Sequence, residues 1–401
     1  MKVLFLTYKL PHSQVVGGNR IVFQRIRHLA NLGYSVGLIS YTDGETEQEK
    51  ESLNLFLKEM HILPQPRRKI WTRFFHDYIT QSRPAIMWKL FSREMMRKVA
   101  DVVEKGQYDL VIAEFSEMGQ FIYKNPYLSA VHTIISCHRC ITSSYEKYKD
   151  IKEVNLRLHL KSLTQIELLK KYEFNMYRSA DRILVFTPQD QFMMQYYAPD
   201  LAVSILPSGV DVEDLKNKTS IPKEPIILMT GYMKDPANED GVKWFINHIW
   251  PKLREKHPEV KFYIVGANPS SKIKKFGERD SRIIITGQVK DLSPYRARAL
   301  MLVSPVRLGS GMRTKVLEAM ASGLPVVSTS LGVAGIDVQT GINCLVGDTP
   351  DLFAQNVEWL LTDKVLREGM AREALTLIHK KYSLETGLNQ FEKILKSVVE
   401  G

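Results

Sequence analysis

Residues 301–335 read MLVSPVRLGSGMRTKVLEAMASGLPVVSTSLGVAG, and their order of elements decides the fold. Met301 to Pro305 is a short apolar run suited to a buried strand. Arg307 to Gly311 (RLGSG) is a glycine-rich loop, where the backbone can take positive φ and approach a ligand closely. Arg313 to Ala321 has helical periodicity and is stopped by Gly323 and Pro325. Val326 to Thr329 is the next strand, and Leu331 to Gly335 is a second glycine-rich loop. The charges are placed against the helix dipole. Arg313 and Lys315 sit in the first turn, where anions are favoured. A bound anion resolves the conflict: free N–H groups, glycines and two cations together make a diphosphate cradle. Glu318 interrupts the apolar run Val316, Leu317, Ala319, Met320. Its carboxylate can accept two sugar hydroxyls; the alternative is a Lys315–Glu318 ion pair on a solvated face.

The stretch RLGSGMRTKVLEAMASGLPVVSTSLGVAGI, Arg307 to Ile336, resembles the donor-binding signature of retaining GT-B glycosyltransferases of the large family 4 type. The resemblance implies an α/β fold of two Rossmann-like, doubly wound domains facing each other across a cleft. It implies that Gly309, Ser310, Gly311 and Met312 line the donor, that Arg313 and Lys315 neutralise its diphosphate, and that Glu318 holds the nucleotide ribose. The family usually carries an E-x7-E pair. Here the second Glu is Glu318 and the first position is Ser310. Many members also have an Arg just after the glycine that corresponds to Gly231 and a Lys some five residues on. Here Tyr232 takes the first place and Ala237 or Asn238 falls near the second, with Lys234 as a nearby substitute.

Bulk properties bound the rest. With 401 residues there is room for two or three domains. Hydrophobic residues make up 44% and charged residues 25%, the balance of a globular protein. No run approaches the roughly 18 apolar residues that would mark a membrane-spanning helix. The start, MKVLFLTYKL, turns polar too soon for a signal peptide, so a cytoplasmic location is expected. The net charge of +11 suits phosphorylated substrates, an anionic membrane or nucleic acid, but no nucleic-acid-binding motif accompanies it. The three cysteines, Cys137, Cys140 and Cys344, fit a reducing compartment. The C-x2-C of Cys137 and Cys140 has no second pair to complete a zinc site, and no Asp-x-Asp motif stands out, so no metal is expected.

From the N-terminus, Lys2 to Tyr8, Arg20 to Leu32 and Ser35 to Tyr41 form a βαβ unit, which predicts a parallel sheet. Gly17 and Gly18 lie at its ligand-side turn. They are a flexible turn or, as the resemblance implies, a loop facing acceptor and donor phosphate. Residues 64–98 interleave Arg67, Arg68, Lys69, Arg73, Lys89, Arg93, Arg97 and Lys98 with Trp71, Phe74, Phe75, Trp88, Leu90 and Phe91. This reads as a surface for an anionic membrane, peripheral on its cytoplasmic face, or as two ordinary helices whose Arg stems cover a core. Tyr108 to Glu114 and Thr133 to Ser136 are further strands. His138 follows the second of these. The resemblance places such a histidine beside the donor sugar, to orient it or to take a proton from the acceptor. Tyr172, Glu173, Thr187 and Asp190 read as structural.

The expected division is 1–207 for an acceptor-binding domain, 208–224 for a polar linker, 225–382 for a nucleotide-sugar-binding domain, and 383–401 for a helix crossing back to the first domain. In the second domain Gly231 ends the first strand (IILMTG), Asn238 to His257 is a helix, and Gly287 and Val289 offer backbone to the nucleotide base by resemblance. The implied activity is transfer of a sugar, with retention of configuration, from a nucleotide sugar to a saccharide or lipid-linked acceptor. The expected donor is a UDP-sugar, serving as co-substrate with no further cofactor. Cell-surface polysaccharide or glycolipid synthesis is the setting this suggests. A GT-B-fold epimerase or phosphorylase, or a non-catalytic basic binding protein, is the alternative.

Overall fold

The computed structural model describes residues 1–12, 18–42, 44, 47–66, 83–149, 156–215, 224–309 and 312–401. They divide into two compact units, Met1–Pro207 with Leu388–Gly401, and Ser208–Gly387.

The first unit is built on seven parallel strands: β1 (Lys2–Thr7), β2 (Ser35–Thr42), β3 (Glu59–Pro64), β4 (Leu110–Glu114), β5 (His132–Ser136), β6 (Arg182–Val185) and β7 (Val203–Ile205). Their order is β3-β2-β1-β4-β5-β6-β7. The strands are nearly continuous apolar runs because helices cover both faces of the sheet. Val3, Phe5, Leu110 and Ile112 pack on one side with Val22, Ile26 and Leu29 of the helix Gly18–Asn31. Leu4, Leu6, Val111 and Ala113 face the other side with Met95, Val99 and Val103 of the helix Arg93–Gly106. The last helix, Leu384–Val399, buries Phe391, Leu395 and Val398 against the first of these faces. Its Gln390 donates to the Ile205 carbonyl at 2.8 Å.

Residues 67–82, the centre of the basic aromatic segment, lie outside the described residues. The described remainder, residues 83–98, contains the helix Ala85–Leu90 and the start of the helix Arg93–Gly106. Trp88 stacks on Phe91 at 6.0 Å, and Phe91 stacks on Phe121 at 6.5 Å. The Arg83 guanidinium lies 3.9 Å from the Phe91 ring centre. These aromatics are drawn inward because Met87 and Phe121 offer a buried apolar seat.

The second unit has six parallel strands: β8 (Ile226–Thr230), β9 (Lys261–Val265), β10 (Ile283–Gly287), β11 (Met301–Ser304), β12 (Val326–Ser328) and β13 (Leu345–Val346). The order β10-β9-β8-β11-β12-β13 reverses direction between β8 and β11. In the first unit the reversal falls between β1 and β4. At such switch points the loops leave in opposite directions and open a crevice outside the carboxyl ends of the strands. The segment expected as one helix from Asn238 to His257 is helical at Pro236–Trp244 and Trp250–Lys256, with a π-helical stretch Phe245–Ile249 between them. Pro251 supplies a physical reason for the widened turn, since it has no N–H to complete a regular ladder. Val210 and Val212 pack in the second unit's core, and Val210 pairs with Ser383.

Candidate functional site

In the second unit the switch point is framed by Gly231 after β8 and by residues 305–309 and 312–313 after β11. Gly309 has φ +96°, a conformation that favours glycine, and a methyl group there would lie 2.8 Å from Arg313 Nη2 and push the guanidinium aside. Arg307 anchors the loop's start with a forked pair to Asp240, at 3.0 and 2.7 Å. Arg313 is the N-cap residue of the helix Thr314–Ala321 and makes no side-chain capping bond. Its Nη2 donates to the Leu308 carbonyl at 3.0 Å, while its buried Nε has no partner among the described residues. Lys315, in the first turn, donates to Asn238 Oδ1 at 2.8 Å. Asn238 is oriented in turn by Nδ2 donating to the Tyr232 carbonyl at 3.1 Å, and its own helix is capped by Asp235.

Both cations are poorly solvated. Burial pushes the Arg313 guanidinium below its ordinary value. Burial first, and then the charge of Arg313, push Lys315 down to about 8, against a partial opposing pull from Asp235. Among the described residues neither cation is within ion-pair distance of a carboxylate. The Lys315–Glu318 pair offered by the sequence does not form. One helical turn on, Glu318 pairs with the buried Arg296 at 3.3 Å instead. Glu318 stays one-third exposed while Val316, Leu317, Ala319 and Met320 face the core.

The structure therefore brings together Gly231, Asn238, Gly309, Arg313 and Lys315. A methyl group at Gly231 would lie 2.8 Å from Asn238 Nδ2. Met312 and Val289 are partly buried against the core that holds Val316 and Leu317, and Gly287 accepts from the Gly266 N–H at 3.0 Å. Lys234 is exposed, and no hydrogen bond joins it to the cradle. Gly17, Ser310 and Gly311 lie outside the described residues.

His138 and Gly18 belong to the first unit. His138 follows β5 and is held by residues that the sequence reading passed over. Its Nε2 lies 2.9 Å from Glu114 Oε2, at the end of β4. Glu114 Oε1 accepts from Arg25 Nη1 at 2.7 Å, and the same Nη1 reaches Ser136 Oγ at 2.9 Å. Phe115 stacks on the imidazole at 4.0 Å, and Phe186 meets it edge-on at 4.9 Å. Two signals were available in the sequence. Arg25 lies on the apolar stripe of its helix, between Val22 and Leu29, and Glu114 ends an otherwise apolar strand at the carboxyl side. A second buried carboxylate, Glu173, fixes the loop after His138. It accepts from the Ile141 and Thr142 backbone N–H groups at 2.9 and 2.8 Å, and from Thr142 Oγ1 and Tyr177 OH at 2.6 Å each.

Residues 224–363 match the family model of glycosyl transferases group 1. The second unit carries the group 1 glycosyltransferase match, and the chain as a whole has the GT-B fold. It is 23% identical over 367 residues to an uncharacterized 44.6 kDa protein in the cps region of Klebsiella pneumoniae, covering 89% of this chain and 90% of that one. It is 22% identical over 288 residues to the lipopolysaccharide 1,2-N-acetylglucosaminetransferase of Salmonella typhimurium, covering 64% and 72% of the two chains. Among solved structures, Anabaena HepE in complex with UDP and glucose superposes with a TM-score of 0.67 at 14% identity, over 99% of this chain and all of that one. The matched segment contains both the Lys315–Asn238 contact and the Arg296–Glu318 pair.

Proposed function

We propose that this glycosyltransferase takes a sugar from a UDP-sugar, with retention of configuration, and passes it to a saccharide or lipid-linked saccharide of the cell surface. The observation that carries the donor half is the pair Arg313 and Lys315. They are two desolvated cations at a helix N-terminus, beside a switch point, with no carboxylate partner among the described residues. A diphosphate supplies the missing negative charge, and as the sugar bond breaks the same cations stabilise the charge gathering on the leaving group. Glu318, one-third exposed beside Arg296, offers its carboxylate to the ribose hydroxyls. The role of helix terminus and cations leaves no step that requires a metal ion. UDP is favoured as the carrier because HepE, of the same fold, was crystallised with it. The acceptor class is favoured by the lipopolysaccharide transferase among the relatives.

Thermal unfolding against UDP, GDP, ADP and their sugars tests the donor half. A ligand at about a hundred times its Kd adds roughly 2.7 kcal/mol, so UDP should raise Tm by several degrees. No shift with any nucleotide refutes the donor assignment. NMR of the product's anomeric proton tests retention. The basic segment is the basis for membrane contact, and failure to sediment with anionic liposomes at low salt removes it.

A further inference from the structure

The cluster beneath His138 does more than fill space. Side-chain exposure is 3% for Arg25, 0% for Glu114 and 9% for His138. A buried ion pair adds little to stability compared with apolar packing. This one stands at the carboxyl ends of β4 and β5, whose terminal residues Glu114 and Ser136 are register partners. Burial alone would raise the Glu114 carboxyl, but Arg25 and His138 hold it at about 2, so it is ionised and can only accept. His138 Nε2 must then carry the proton. Burial drives the imidazole towards neutrality, against the opposing pull of Glu114 and Glu117 and with a contribution from Arg25. In a neutral ring with Nε2–H, Nδ1 is a lone-pair acceptor. Nδ1 faces Gly18, where a methyl group would lie 2.7 Å from it and 2.7 Å from Phe115 Cε1. Phe115 is held at φ +74°, a strained conformation for an aromatic residue, and that places its ring flat on the imidazole.

We infer that Arg25 and Glu114 are positioning residues of the transfer reaction: they fix His138 as the Nε2–H tautomer and present Nδ1, past the side-chain-free Gly18, to a hydroxyl of the bound saccharide. This rests on the glycosyltransferase reading above. The hydroxyl donates to Nδ1, and the working atom is Nδ1 because Nε2 is committed to Glu114. Arg25 and Glu114 touch no substrate and act through the imidazole.

The full chain labelled with ¹⁵N-histidine tests this directly, with His138→Gln used to assign the signal among the ten histidines. The expected wild-type spectrum shows Nδ1 unprotonated and Nε2 protonated from pH 6 to 8. In Glu114→Gln the tautomer preference should collapse. Hydrolysis of UDP-glucose, with water in the acceptor's place, should then lose about 10–100-fold in kcat while KM stays within twofold. Arg25→Lys, which keeps a cation on Glu114, should retain the wild-type tautomer. An Nδ1–H tautomer, a doubly protonated ring at pH 7, or a Glu114→Gln protein with unchanged tautomer and kcat overturns the inference. If Glu114→Gln fails to fold, the wild-type and Arg25→Lys spectra still decide. Absence of UDP-glucose turnover with the expected tautomer would count against the donor reading while leaving the positioning of Nδ1 intact.

Discussion

Replacing Lys315 with methionine should stabilise the ligand-free protein and cripple donor binding in the same stroke. Methionine keeps the length and the apolar stem but removes a charge that burial disfavours. The drop from an ordinary 10.5 to about 8 corresponds to about 3 kcal/mol of cost to holding the ammonium in the folded state. The partial exposure of the residue and its bond to Asn238 reduce the gain to about 1–3 kcal/mol. The sign follows from the direction of the shift. Below about pH 8 the ammonium is charged in both states and the folded state bears the full cost. As pH rises from about 8 towards 10.5 the folded state sheds the proton first and the cost fades. Lys315→Met should therefore melt higher than wild type at pH 7, by about 2–4 °C per kcal/mol for a unit of this size, and the gap should narrow by pH 9.5. UDP affinity should fall about 10–150-fold, the value of one charge-assisted hydrogen bond to phosphate. Thermal melts at the two pH values and titration calorimetry with UDP measure both effects. A variant that melts below wild type at pH 7 and binds UDP unchanged would refute the reasoning. Lys315 would then be a structural ammonium that Asn238 fully satisfies.

Glu318→Ala should weaken UDP binding about 10–100-fold through lost ribose hydrogen bonds, with 2′,3′-dideoxy-UDP affected far less; equal losses for both nucleotides would move Glu318 out of the ribose site. Gly266→Ala should destabilise by about 3 kcal/mol or more, because its methyl group would fall 1.7 Å from the Gly231 carbonyl oxygen; an unchanged urea midpoint would show that β8 and β9 do not approach so closely. Transfer activity should survive EDTA in full, since the cations at the helix start neutralise the diphosphate; loss of activity that Mn²⁺ or Mg²⁺ restores would contradict this.

How much of this was legible beforehand depended on whether a residue's partner is local. The cradle was readable because its anomaly is local: two cations in the first turn of a helix after a glycine-rich loop, where the macrodipole disfavours them. The parallel sheets were readable from strand and helix periods, which also depend on near neighbours. The clamp on His138 was not read, although Arg25 and Glu114 are 89 positions apart and each breaks an apolar pattern. Each breach alone resembles an ordinary surface residue, and the significance comes only when β1 and β4 are placed side by side. The ion pair of Glu318 went to Arg296 instead of Lys315 for a similar reason. The helix Ser293–Arg298 brings the guanidinium within reach, and a helix-local rule cannot see it. The aromatics of residues 83–98 show the same limit, since composition described their chemistry but not the buried Phe121 on which Phe91 stacks.

The two switch points answer the same electrostatic problem in opposite ways, and the contrast supports a division of labour. In the first unit the buried guanidinium of Arg25 is matched by the ionised Glu114, and the imidazole above is neutral. The cluster has no charge left to offer, only an oriented lone pair. Such a site favours a neutral hydroxyl, because an anion there would have to displace Glu114 from Arg25. In the second unit no carboxylate pairs with Arg313 or Lys315 among the described residues, and Asp235, Asn238 and the Leu308 carbonyl relieve only part of the cost of burying them. An anion carrying two charges relieves it, so binding energy is drawn from an imbalance already present in the fold. The proposed hydroxyl recognition in one unit and diphosphate recognition in the other are the two requirements of sugar transfer. Each follows from how the local sequence balances, or declines to balance, its own buried cation.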